Sequence, residues 1–477
     1  MLRSLSSIIA DRARSQPDEV VVVDQRGELT AAELDDAATR LAHVLISRGV
    51  VQNDLVTVSL PNGRDIVIAC VAVWRAGATP QPVALALTDE ERAAVEDVAR
   101  PSASIGARPR SARIAWIVSV DAPPATGALP DLIAASWKAP TTSGSTGRPK
   151  VVKAHAPASM DPSEPVAPFL PLRGVHLVAG PLTHSATFTY AFRGLLTGHR
   201  LIILPRFDER AWLAAVEMHA VTWALLVPTM MHRLLRLPEE ERDPARIRSI
   251  ETLLHMGAPC GVELKGAFLN WAGAERVVEV YAGSESNGLT MIRGDEWLRH
   301  VGSVGRAIGG TEVQIRSADG AELATGEAGV VWMRRGERPA YEYLGASSRR
   351  DPLGWDTLGD VGRVDEEGFL YLLDRQDDVI NRGGEKVYPV EIERVLEQHP
   401  AVRSAVAFGV PDDALGHGIH AVADVAGAGV GEPELLAWAR ERLGSRTPAS
   451  IRIVHEPVRN DAGKTSRRRW AQARHSE

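Results

Sequence analysis

Thr141-Thr142-Ser143-Gly144-Ser145-Thr146-Gly147-Arg148-Pro149-Lys150 is the most informative run in this chain. Its glycines let the backbone approach an anion closely, and successive N–H groups there can form an anion-binding nest. The hydroxyls add donors, and Lys150 adds a positive point charge suited to phosphate. Flexible Ser/Gly linkers share this composition, but a linker has no need of Pro149 and Lys150 at its end. A P-loop requires G-x-x-x-x-G-K-[ST], whereas Gly147 is followed here by Arg148-Pro149-Lys150. A hydrolase elbow requires G-x-S-x-G, and the glycines around Ser143 and Ser145 are misplaced for it.

Outward from this loop, strand-like and helix-like runs alternate. Residues 20–24 are a β-branched run. Thr30-Ala-Ala-Glu33 has the pattern of a capping box ahead of Leu34, Ala38, Leu41 and Leu45 at helical spacing, and Gly49 is placed to stop that helix. Residues 55–60 read as a strand and 66–76 as a helix. The rhythm repeats over 201–204, 211–219 and 223–227. This predicts α/β layers with largely parallel sheets. Residues 101–139 carry weak pattern and no expected site, and 157–171 hold five prolines and read as a surface loop.

The chain has 477 residues, 44% apolar and 24% charged, enough for about three folding units at roughly 150 residues each. A formal charge of −7 argues against nucleic acid as a partner. Cys70 and Cys260 stand far apart and outside any zinc-ligand spacing, so reduced thiols in a cytoplasmic protein are expected. The N-terminal apolar stretch is broken by Asp11, Arg12 and Arg14, unlike a signal peptide. No run approaches the roughly 20 apolar residues that span a bilayer, so membrane insertion is not expected.

Further motifs follow in order. Gly257-Ala258-Pro259 precedes Tyr281-Ala282-Gly283-Ser284-Glu285. Trp355-Asp356-Thr357-Leu358-Gly359-Asp360 precedes Leu373-Asp374-Arg375-Gln376-Asp377-Asp378. Arg382-Gly383-Gly384-Glu385-Lys386 leads into a Pro389-initiated helix, and Arg459 and Lys464 fall in register with an R-x-x-x-G-K-x-x-R ending. Taken singly, each could be an ordinary loop or turn. Together with the loop at 141–150, the series resembles the adenylate-forming superfamily: acyl-CoA synthetases, peptide-synthetase adenylation domains and firefly luciferase. Its nearest likeness is to bacterial fatty-, steroid- or aryl-acid CoA ligases.

The resemblance implies a large N-terminal domain of layered α/β subdomains, residues 1–374, a hinge at 375–378, and a small, rotating α+β C-terminal domain, 379–477. It implies that Thr141, Thr142, Ser143, Gly144, Ser145, Thr146, Gly147 and Lys150 hold the phosphates of ATP. Tyr281 stacks on adenine opposite Gly257, Ala258 and Pro259. Ala282 and Gly283 count with Tyr281 among the nucleotide-binding residues, Ser284 lies near the α-phosphate, and Glu285 holds Mg²⁺. Asp360 takes the ribose hydroxyls and Arg375 contacts the nucleotide. Asp377 is the hinge, Gly383 and Gly384 approach the thiol arm, and Lys464 is the catalytic lysine, with His184 near the carboxylate. Ser284 in place of threonine keeps the hydroxyl, and Ala282 stands where glycine is usual.

Pro181-Leu182-Thr183-His184-Ser185-Ala186-Thr187-Phe188 resembles the acyl-pocket segment of the same branch. The expected pocket residues Ala186, Phe188, Met256 and Ala258 are mainly apolar, which suits a hydrophobic or aryl acid. No carrier domain follows Lys464, so a free acceptor is expected. Coenzyme A leads, and a separate carrier protein is second. A third reading is a biosynthetic enzyme that activates an unusual oxyacid such as nitrite, and a non-catalytic nucleotide sensor is the reading of another class. A monomer or homodimer is expected.

Overall fold

The computed structural model describes residues 1–143, 149–383, 385–412, 415–427, 429–459 and 465–474. Among them, thirteen strands form one large sheet. Its middle is parallel: Val277–Ala282, Thr252–His255, Trp223–Leu226, Gly174–Val178, His199–Ile203 and Val20–Asp24 lie side by side in that order. Both flanks are antiparallel, one of them continuing through Leu289–Arg293, Ser303–Ala307 and Leu370–Arg375 to Asp360–Val364. The alternation in the sequence therefore predicts the centre of the sheet and misses its antiparallel ends.

Local signals place many elements. Thr30 and Glu33 form the reciprocal capping box and start the helix Ala31–Ser47, which buries Leu34, Ala38, Leu41 and Leu45. Asp208 caps Glu209–His219, and Pro228 opens Pro228–Leu235. In the weakly patterned region, Ala103–Gly106 and Ala115–Ile117 join Leu55–Ser59 and Thr79–Pro82 in a parallel four-stranded sheet. The last of these strands is too short to show a period. At Gly305 φ is +93°, and an added Cβ would stand 2.0 Å from the Met291 carbonyl oxygen, so only glycine fits that bulge.

Thr141–Ser143 and Pro149–Ala154 pair as an antiparallel hairpin, with Tyr341–Leu344 on its outer edge. Residues 144–148 of the expected phosphate loop lie outside the described residues, as do Gly384 and Lys464.

Leu370–Arg375 is the last strand of the large sheet. Beyond it, Val402–Asp412, Gly416–Val425 and Ser450–Val454 form a separate sheet, with Pro389–Glu397 and Glu432–Leu443 packed on its own core around Ile392, Ala405, Ile419 and Leu435. The fold is thus a large layered α/β part followed by a small α+β part. Among the described residues, no helix is long and apolar enough to cross a membrane.

Candidate active site

Lys150 lies on the inner strand of the three-stranded sheet, opposite Thr142. The neighbouring strand brings Tyr343 alongside, opposite Val152. The Lys150 ammonium donates to the Tyr343 hydroxyl at 2.7 Å and to Glu285 Oε1 at 3.3 Å, and lies 3.9 Å from the Tyr343 ring centre. The Tyr343 hydroxyl also donates to Glu285 Oε1. Burial would raise the Glu285 carboxyl, but Lys150 and the Tyr343 hydroxyl outweigh it and hold the group below its usual value. The result is a buried carboxylate that stays ionised beside a cation.

Glu285 stands three residues past the strand Val277–Ala282, in the turn that leads to Leu289–Arg293. The turn is tight. Ser286 adopts a left-handed φ of +53°, and a Cβ on Gly283 would stand 2.7 Å from Glu285 Oε2.

A second group forms across the same strand. The Tyr281 hydroxyl donates to Asp360 Oδ2 at 2.6 Å, and Arg375 Nε lies 3.0 Å from Asp360 Oδ1. Sheet register explains this, because Asp360 and Arg375 are direct partners in the antiparallel pair. Gly257, at φ +93°, begins a partly exposed loop with Ala258 and Pro259 just past the strand Thr252–His255.

His184 begins the helix Ser185–Leu196. Ala186 and Met256 share one apolar cluster with Tyr190, and Ala282, Met291 and Ile308 pack against it. Phe188 departs from the expected pocket. It is fully buried and packs on Trp74, Trp137 and Phe192, so it faces the core. An apolar residue at helical spacing carries no signal that separates a pocket wall from a core wall. Tyr343 is the site residue that the sequence reading missed. It lies outside every quoted motif, and no local pattern marks it.

Residues 9–343 match the model of the AMP-binding enzyme family, and residues 391–464 match that of the AMP-binding enzyme C-terminal domain. The chain belongs to the AMP-binding enzyme family. It is 29% identical to a 2-succinylbenzoate–CoA ligase of Bacillus licheniformis, over 98% of this chain and 99% of that one. It is 30% identical to a feruloyl-CoA synthase of an Amycolatopsis species, over 97% of each. The fold is similar to that of ATP-bound MatB from Rhodopseudomonas palustris, with a TM-score of 0.83 and 24% identity over 99% of both chains. Within this family match, the Lys150–Glu285–Tyr343 group and the Tyr281–Asp360–Arg375 group lie on motifs that the sequence singles out, Tyr343 excepted.

Proposed function

We propose that this protein is an ATP-dependent acid–thiol ligase. It forms an acyl-adenylate with release of pyrophosphate, then transfers the acyl group to the thiol of coenzyme A. The observation that carries this reading is the ionised Glu285 paired with Lys150, with the Tyr281–Asp360–Arg375 group beyond it, in a chain that matches both parts of the family. The two relatives are by name a CoA ligase and a CoA synthase, which supports coenzyme A over a carrier protein or a non-thiol route. The work is assigned to the cytoplasm, where thiols stay reduced.

The chemistry follows from the donors present. Tyr281 supplies a flat face for adenine, Asp360 an acceptor for ribose hydroxyls, and Arg375 a cation beside them. Lys150 and the run 141–150 supply charge and donors for the phosphates, and Ser284 adds a hydroxyl for the α-phosphate. Magnesium suits Glu285, because that ion takes one or two carboxylates together with substrate phosphate oxygens. When bound, it neutralises phosphate charge. Among the described residues, no group of three His, Cys, Asp or Glu could hold a metal by itself.

Ala186 and Met256, with Tyr190, Met291 and Ile308 around them, suit the apolar body of a hydrophobic or aryl acid. His184 stands at the start of the helix that carries Ala186. Lys464 supplies the charge that offsets the negative charge growing on phosphorus as the carboxylate attacks. The C-terminal part then turns about Asp377, so that Gly383 and Gly384 meet the thiol arm.

The test is acid-dependent exchange of pyrophosphate into ATP across a panel of acids, followed by thioester formation with coenzyme A. Lys464→Ala should slow adenylation on the order of 10²–10³-fold and leave ATP binding in place. Exchange with no acid, or an unchanged rate in Lys464→Ala, would sink the assignment.

A further inference from the structure

Lys138 is a buried cation that the scheme above does not use. It precedes the phosphate hairpin by three residues and is 3% exposed. Its ammonium donates to the Ser185 hydroxyl at 2.9 Å and the Thr189 hydroxyl at 2.7 Å. Among the described residues, no carboxylate forms an ion pair with it. Arg193, on the same helix as those hydroxyls, shares the Trp137 ring with Lys138, at 4.2 and 5.2 Å from its centre. Arg193 donates to Met160 Sδ and has no carboxylate partner among the described residues. Two neighbouring cations, Lys138 buried and Arg193 partly so, are therefore withdrawn from water with no carboxylate in contact among the described residues, which is costly. Burial brings Lys138 down to about 7, with Arg193 pushing the same way and Glu285 opposing.

The two hydroxyls differ. Thr189 spends its hydrogen on the Ser185 carbonyl at 2.6 Å. The Ser185 hydroxyl accepts from Lys138 and has no acceptor of its own among the described residues. It is thus a donor polarised by a buried ammonium. It sits in the first turn of Ser185–Leu196, a helix start with no side-chain cap, where backbone N–H groups and the helix dipole also favour an anion. Ser185 and Thr189 are half-buried, so the relay reaches accessible surface. Ala186 and Tyr190, the next residue after each, belong to the apolar cluster assigned to the acid.

We propose that Lys138, acting with Ser185 at the start of this helix, binds a second anionic group on the acid, so that the substrate class is an acid with an apolar body and a spectator carboxylate or its equivalent. This rests on the acid-activating reading given above. A fixed cation is better matched to a spectator group than to the reacting carboxylate. The reacting oxygen loses charge as it attacks phosphorus, so a standing ion pair there would hold the ground state more tightly than the transition state.

The experiment compares matched acids, phthalate against benzoate and succinate against butyrate, by pyrophosphate exchange in wild type, Lys138→Met and Ser185→Ala. The expected result is a kcat/KM ratio favouring the diacid by about tenfold or more in wild type, collapsing toward unity in Lys138→Met and falling partway in Ser185→Ala. A wild-type ratio near unity, or a ratio untouched by both substitutions, overturns the proposal while leaving acid activation standing. Thermal melting with phthalate or succinate reads the site without turnover. A stabilisation seen in wild type and lost in Lys138→Met supports it even where no acid of the panel is turned over, an outcome that would count against acid activation instead. No stabilisation by either diacid together with no diacid preference overturns it.

Discussion

Lys138 should burden the fold as much as it serves a ligand. Burial holds its ammonium at about 7 in place of the ordinary 10.5. Between those values the unfolded chain binds a proton that the folded chain does not, so this residue makes stability rise with pH across that window. Below about 7 both states are protonated and the penalty is constant. Lys138→Met removes the penalty. The variant should therefore melt above wild type at pH 7, by up to a few kcal/mol in order of magnitude, with the gap narrowing as pH approaches 10. Calorimetry from pH 7 to 10 reads this directly, and a gap that does not narrow would show that the ammonium is not desolvated as described. Stability given up at a binding residue is the expected pattern where function needs an uncompensated charge.

Among the elements, the terminal helix Arg467–Arg474 is held by its first residue. Arg467 donates to Glu393 through Nε at 3.0 Å and Nη2 at 3.1 Å, and to Asp378 through Nη1 at 2.6 Å. Glu393 also accepts from Arg459 at 2.8 Å and from the Ala407 backbone at 2.9 Å. Burial alone would raise Glu393, yet Arg467 and Arg459 hold it below the usual value. Breaking one side of such a buried pair typically costs about 3–5 kcal/mol. Arg467→Ala should thus loosen the C-terminal part by that order, seen as an earlier melting step and faster proteolysis beyond residue 380, while nucleotide binding by the larger part persists. Unchanged melting would mean that Arg459 suffices alone.

Across the whole molecule, the contacts that join the two parts include, among the described residues, an Arg467–Asp374 ion pair at 3.6 Å and an Arg236 hydrogen bond to the Pro400 carbonyl at 3.2 Å. The Val390 amide donates to Asp374 at 2.9 Å, and Gln398 donates to Glu263 at 2.7 Å. Burial lifts the Asp374 carboxyl to about 6, with Arg467 opposing. Asp377 between the parts is exposed, its carboxylate only 3.5 Å from Arg349. A hinge there must absorb a change in φ and ψ, and proline would fix φ near −65°. Asp377→Pro should form acyl-adenylate in a first turnover yet lose thioester formation. Single-turnover measurement of both products decides it: equal loss of the two half-reactions points to misfolding, and full thioester formation removes Asp377 from the mechanism.

What the sequence by itself determined is what short-range chemistry encodes. The Thr30–Glu33 capping box, the helix start at Pro389, and the ordered motifs from Thr141 to Lys464 are legible because each rests on neighbours a few residues apart. What only the tertiary structure decided is which distant groups meet. Lys150 and Tyr343 are 193 residues apart, and strand pairing alone brings them together. Asp360 faces Arg375 because of sheet register, which no local pattern states. Phe188 shows the same limit from the other side, since hydropathy reports that a side chain avoids water and not whether it turns to a pocket or to Trp74 and Phe192. Lys138 falls in the stretch 101–139, where the sequence pattern marks no site. Its meaning comes from burial without a counter-ion, and burial is a property of the packed chain.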